Sequence, residues 1–262
     1  MSIHLSNFIF VYCLVLAAVL GAVMGSFLNC AAWRIAHGEN FVRGRSHCPA
    51  CGHTLGAPDL VPVLSWVFLR GRCRHCGAKI SARYPLTELA FALLTVLCLL
   101  RFDLTAECLR NYVFLCCLFC LSLTDLEARV IPDGCLLTAA AAWLLALPFL
   151  RSGWRDALLH LLSALVYGGG VLLLSLALDR ILRRESLGGG DVKLFSVVGL
   201  YLGLAGSLFA VILSCVLGLL FLALTARGER GKAIPFGPAI SLAAAFMLLY
   251  GDGITEWYLS LF

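Results

Sequence analysis

The chain has 262 residues, 61% of them apolar and only 13% Asp, Glu, Lys or Arg, against a charged share of roughly 25% in ordinary soluble domains. That balance excludes a soluble globule, a disordered chain and a disulfide-stapled secreted domain, because the apolar residues gather in blocks of the ~20 residues that span a bilayer. The formal charge of +5 sits mostly between those blocks, so it reads as membrane topology; no nucleic-acid partner is expected.

Hydrophobicity places spans at 8–32, 84–100, 106–124, 131–150, 157–178, 192–204, 207–226 and 234–250. The expected fold is an all-α polytopic membrane protein of about eight transmembrane helices, with a small zinc-ribbon-like cytoplasmic loop after the first. Three parts follow: a first transmembrane helix at 1–33, a tetra-cysteine loop at 34–83 and a membrane-embedded domain at 84–262. An even number of spans puts both termini on one side. With Met1 outside, every Lys and Arg except Arg101, Arg110, Arg151 and Arg155 falls on the cytoplasmic side, as the positive-inside bias requires. The first span has no basic residue before it and reads as an uncleaved anchor. Gly21 and Gly25 give it a small-xxx-small face suited to close helix packing.

The loop carries Cys48, Cys51, Cys73 and Cys76 as two C-x-x-C knuckles separated by 21 residues. Four thiolates at this spacing match a tetrahedral structural zinc site, and a small loop needs that metal to fold. His47, His53 and His75 rank below the cysteines as ligands. The other nine cysteines lie mainly inside apolar spans and read as small hydrophobes.

The sixth block is short, ~20 Å at 1.5 Å per residue, so its start is expected to be recessed from the membrane surface. Gly188, Gly189, Gly190 and Asp191 stand at that point. The glycines are expected to permit positive φ and close approach of a substrate backbone, with Lys193 supporting an anion beside them. Ionisable residues at span edges are costly and mark function. Asp125 and Glu127 close the third span, Asp133 opens the fourth and Asp191 the sixth, all on the cytoplasmic side; Asp133 and Asp191 could each be a plain helix N-cap. Two aspartates can hydrolyse a peptide when one, ionised, takes a proton from water and the other, protonated, polarises the carbonyl. Asp125 and Asp191 are that candidate pair, and helix-end polarity assigns the base role to Asp191. Carboxylates lining the ion path of a transporter are the rival reading, and a docking role for the cysteine loop is a third.

The motifs GAVMGSFLNCAAWR, RSHCPACG, VPVLSWVFLRGRCRHCGAKISARYPLTEL, LTDLEARVIPD, GGGDVKLF and IPFGP, in this order, resemble the prepilin peptidases, or type IV leader peptidases, polytopic aspartic proteases of the GxGD type. Asp59-Leu60 stands where that family usually has Asp-Asn, Gly44 where a proline is common and Glu127 where an aspartate is frequent. The resemblance implies that Asp125 and Asp191 are catalytic. It also implies a bacterial inner-membrane enzyme with periplasmic termini, serving type IV pilus or type II secretion. Such an enzyme cuts the basic leader from prepilin or pseudopilin precursors on the cytoplasmic side. N-methylation of the new terminus with S-adenosylmethionine is implied by resemblance alone.

Overall fold

A computed structural model of the chain describes residues 7–40, 44–150, 153–183, 187–225 and 235–260. Met1, Arg43, Arg151, Arg184, Ala226, Arg227, Arg230, Lys232 and Ile234, which enter the topology reading, lie outside the described residues. The chain divides into two compact units, Met1–Cys108 and Leu109–Phe262.

In the first unit, α1 (Asn7–Ala36) runs four residues past its expected end. A helix of this length reaches ~45 Å, beyond a ~30 Å hydrocarbon core. It pairs with α3 (Arg83–Phe102). Gly21 and Gly25 are needed there: a Cβ on Gly21 would lie 2.8 Å from the Ala92 Cα, and one on Gly25 3.1 Å from the Glu88 Cα. Asn29 Nδ2 also donates to Thr87 Oγ1 at 2.6 Å. The opposite face of α1 exposes Phe8, Val11, Val15, Val19 and Val23, a surface suited to lipid and not to water. The helix α4 (Ala106–Ala128) starts in this unit and continues into the second.

The second unit adds α5 (Asp133–Ala146), α6 (Trp154–Leu182), α7 (Gly189–Thr225) and α8 (Gly237–Leu259). Six of the described helices are long and apolar enough to cross a membrane, and a shorter apolar element covers Asp133–Phe149. The long α7 accounts for two expected spans. Gly203 breaks it with φ 65° and ψ −173°. Residues 195 and 218 would lie ~35 Å apart along a straight helix. Instead the Phe195 ring sits 6.3 Å from the Phe236 ring, while a Cβ on Gly218 would lie 2.8 Å from the same Phe236. Arms 189–202 and 204–225 therefore fold back on each other, and the apolar segments among the described residues number eight in the expected order.

Small residues let α6 approach the first arm. A Cβ on Gly199 would lie 2.7 Å from the Ala164 Cα, and Gly168 packs directly on Ser196. His160 Nδ1 meets the Leu200 carbonyl at 2.8 Å, and the Tyr167 hydroxyl donates to the Leu204 carbonyl at 2.6 Å, so α6 holds the chain on both sides of the break. Tyr201 stacks on Phe114 at 3.8 Å and donates to the Ala139 carbonyl at 2.8 Å, tying α7 to α4 and α5. The most enclosed span is α8, with 61% of its apolar window buried against 17% for α7.

Candidate active site and cysteine cluster

Three helix ends assemble the carboxylate site. Asp125 lies in the last turn of α4, where it is only 5% exposed. Arg129, at φ 56°, closes that helix by donating its amide to the Asp125 carbonyl at 2.9 Å. Asp191 lies in the first turn of α7, where it interacts electrostatically with Asp125 and accepts a backbone hydrogen bond from Gly188. Its Oδ1 is buried without a hydrogen-bond partner among the described residues, a state that costs on the order of 1–3 kcal/mol. The Gly237 amide donates to Asp125 Oδ2 at 2.8 Å from the start of α8. Phe236, the preceding residue, packs on Phe195, one turn beyond Asp191 on α7.

The glycines before Asp191 differ from expectation. None of the three adopts positive φ, and Gly189 and Gly190 are already helical. Gly190 is sterically required, since its Cβ would lie 2.9 Å from Ile131 Cβ; among the described residues nothing lies within 4 Å of that position on Gly189. Lys193 turns to Asp133 at 2.8 Å, in an exposed pair that joins the starts of α7 and α5. Asp133 is therefore the first residue of α5 after Pro132 and an ion-pair partner, not an N-cap. Asp191 is not an N-cap either, because α7 begins two residues before it. Glu127 is exposed.

Sequence reasoning assigned no role to Gly237. Its signal was the IPFGP motif, in which Pro238 at the second helical position fixes where α8 starts.

The cysteine cluster belongs to the first unit. Two matching turns build it: Cys48 N donates to the His53 carbonyl and Gly52 N to the Cys48 carbonyl, while Cys73 N donates to Ala78 and Gly77 N to Cys73, all at 2.8–2.9 Å. Gly52 and Gly77 sit at φ 69° and 71°, where other residues are strained. The four Sγ atoms lie within 4.8 Å of one another, and Cys48 and Cys76 are 3.9 Å apart. A tetrahedron with metal–sulfur bonds of ~2.3 Å has edges of ~3.8 Å, so these donors fit a tetrahedral metal. Amides of Cys76 and His75 bring the Cys73 thiol down to about 7. At Cys76 the Ala78 amide pulls the same way, but burial and the three neighbouring thiols outweigh it and push that thiol up to about 11. His53 and His75 stack on each other at 3.5 Å, and His47 meets Trp33 edge-on.

The segment between the knuckles is held from both sides. Asp59 bonds Arg74 at 2.7 Å, and that guanidinium, with the Gly56 amide, holds its carboxyl below the usual range. Trp66 Nε1 donates to the Ile80 carbonyl at 3.1 Å, and Glu88 of α3 accepts the Val63 amide at 2.7 Å.

The chain matches the bacterial Peptidase A24 N-terminal domain over residues 19–102 and the Type IV leader peptidase family over residues 112–223. It is 33% identical over 246 residues to the prepilin leader peptidase/N-methyltransferase of Bacillus subtilis (strain 168), covering 93% of this chain and 96% of that protein. The protein of the same name from Aeromonas salmonicida (strain A449) is 36% identical over 235 residues, covering 84% and 76%. The type 4 prepilin-like proteins leader peptide-processing enzyme of Escherichia coli O78:H11 (strain H10407 / ETEC) is 37% identical over 252 residues, covering 87% and 90%. No solved structure matches.

Proposed function

Since the chain belongs to the type IV leader peptidase family, we propose that it is a multi-pass membrane endopeptidase that removes the leader from type IV prepilin-like precursors with Asp125 and Asp191. The observation that carries this reading is the convergence of three helix ends on the acids: the Gly237 amide of α8 seats Asp125 of α4, and the neighbouring Phe236 packs on Phe195, one turn beyond Asp191 on α7. Family membership leaves the transporter reading without support.

A two-aspartate mechanism needs one carboxylate ionised and the other protonated, so the division of roles turns on the partners each one meets. Helix-end polarity alone assigned the base role to Asp191. The Gly237 amide on Asp125, with Lys193 turned to Asp133 instead of Asp191, favours Asp125 as the charge-bearing base. Asp125 then takes a proton from the attacking water while Asp191 donates a hydrogen bond to the scissile carbonyl. The amide of Gly188 orients Asp191, Gly190 lets Ile131 close on the start of α7, and the open face at Gly189 admits the substrate backbone. Lys193 holds the α5 start in place.

Cys48, Cys51, Cys73 and Cys76 would hold a structural zinc ion, which supplies folding energy to the loop and no chemistry at the aspartates. The three-part division at residues 33 and 83 follows from that role. The relatives' double name extends the proposal to N-methylation of the new terminus, with S-adenosylmethionine as donor. Positive-inside bias supports an inner-membrane orientation with periplasmic termini and the dyad on the cytoplasmic face. There a precursor with a basic cytoplasmic leader and a transmembrane stem presents its junction.

Mass spectrometry of a co-expressed type IV prepilin tests this reading. The product should begin at the first residue after the leader, and its terminal mass reports methylation as well. An intact precursor in the presence of folded enzyme overturns the peptidase assignment.

A further inference from the structure

Two cysteines depart from the reading of isolated small hydrophobes. Cys98, in the penultimate turn of α3, and Cys108, in the first turn of α4, bring their Sγ atoms to 4.0 Å. Each thiol also faces the other residue's carbonyl, at 3.7 and 3.8 Å. The turn between the helices holds them there. Asp103 closes α3 at φ 52°, its amide on the Leu99 carbonyl at 3.0 Å, and Thr105 Oγ1 accepts the Cys108 amide at 3.1 Å. A disulfide needs its sulfurs at ~2.05 Å, so these opposed thiols on a fixed hairpin must close by only about 2 Å.

Sidedness decides what such a pair becomes. The tetra-cysteine loop precedes α3 at Arg83, and the Cys98–Cys108 turn follows after one membrane crossing. The two sets of thiols therefore face opposite compartments. The loop is rich in Arg, whereas the turn has only Arg101 and Arg110 nearby, so the positive-inside bias puts the turn on the oxidising side.

We propose that Cys98 and Cys108 form a structural disulfide that staples the outer end of the α3–α4 hairpin. The oxidant is an extracytoplasmic protein disulfide of the thiol oxidoreductase class. By thiol–disulfide exchange, the two thiols give up two protons and two electrons, one S–S bond forms in this chain, and the oxidant's S–S bond opens to a dithiol. The proposal rests on the hairpin geometry and on sidedness, and is independent of the peptidase reading.

The test uses the full chain in its native membranes. Acid-quenched membranes are denatured in detergent with N-ethylmaleimide and no reductant, then digested for mass spectrometry. The expected result is a linked Cys98–Cys108 peptide pair lighter by two hydrogen atoms, with both residues becoming alkylatable only after reduction. Under the same conditions, with chelator, Cys48 and Cys73 should be alkylated without reductant. In Cys108→Ala, Cys98 should become alkylatable without reductant. Alkylation of both residues in the unreduced wild type overturns the proposal. So does a bond from either residue to Cys13, which lines a cleft with Leu99 and Asp103 at the same end.

Discussion

Gly237 donates its amide to the Asp125 carboxylate at 2.8 Å, although the two residues are 112 positions apart. The contact leaves no space for a side chain, because a Cβ at Gly237 would lie 2.7 Å from Asp125 Oδ2. Gly237→Ala should therefore push Asp125 aside while leaving the fold intact. Misplacing a catalytic group by a fraction of an ångström to about 1 Å costs up to about 100-fold in rate. Cleavage should fall about 10–100-fold in kcat with little change in KM, as measured by steady-state kinetics on a prepilin in detergent. An unchanged kcat would remove Gly237 from the site.

Asp125→Asn and Asp191→Asn should each lower cleavage at least about 1,000-fold, a barrier increase of roughly 4 kcal/mol. Amides keep the shape of the carboxylates, but one at position 125 cannot accept the water's proton, and one at position 191 can offer the carbonyl a hydrogen bond but no transferable proton. Both variants should retain wild-type helicity by circular dichroism. Appreciable cleavage by either folded variant would end the dyad mechanism.

The glycines before Asp191 separate packing from substrate access. Gly190→Ala must displace Ile131, whose Cβ would be 2.9 Å away, and should lower kcat. Gly189→Ala meets nothing among the described residues and favours the helix slightly, so it should raise KM severalfold without lowering thermal stability. Equal effects on KM from both substitutions would contradict this division.

Cys48→Ser with Cys51→Ser should release bound zinc, measured by metal analysis, and expose the loop to protease. Cleavage should drop less than in either aspartate variant. Acidification acts in the same direction, since protons compete with the metal for the thiolates. Full zinc stoichiometry in the double variant would refute the ligand set.

Lys193 and Asp133 form an exposed pair, 58% and 64% accessible, and such pairs contribute about 0–1 kcal/mol. Lys193→Met and Asp133→Asn should each change cleavage by less than about threefold, and a double-mutant cycle should give a coupling below about 1 kcal/mol. A loss matching that of the aspartate variants would return Lys193 to the reacting groups.

Much of this architecture was legible in the order of residues. Apolar block length gave the eight segments, because burial in lipid admits few other readings. The C-x-x-C spacing gave the cluster, because two knuckles can close on one tetrahedron. The contribution of α8 was not legible: a backbone amide has no side-chain signature, and its partner lies far away in the chain. The polarity argument for Lys193 failed locally, since one-dimensional neighbours on a helix point to different sides and the lysine found Asp133. The short sixth block suggested non-helical glycines, but the chain shortens that crossing by turning back at Gly203 and leaves the start of α7 regular.

The enclosed position of α8 also orders events in time. A ribosome delivers this helix after every other described one, so Asp125 and Asp191 enter the bilayer before the amide that seats Asp125 has been synthesised. A nascent chain halted short of Gly237 holds both acids in an unfinished cradle, and the seat of Asp125 is complete only once the first turn of α8 has been made.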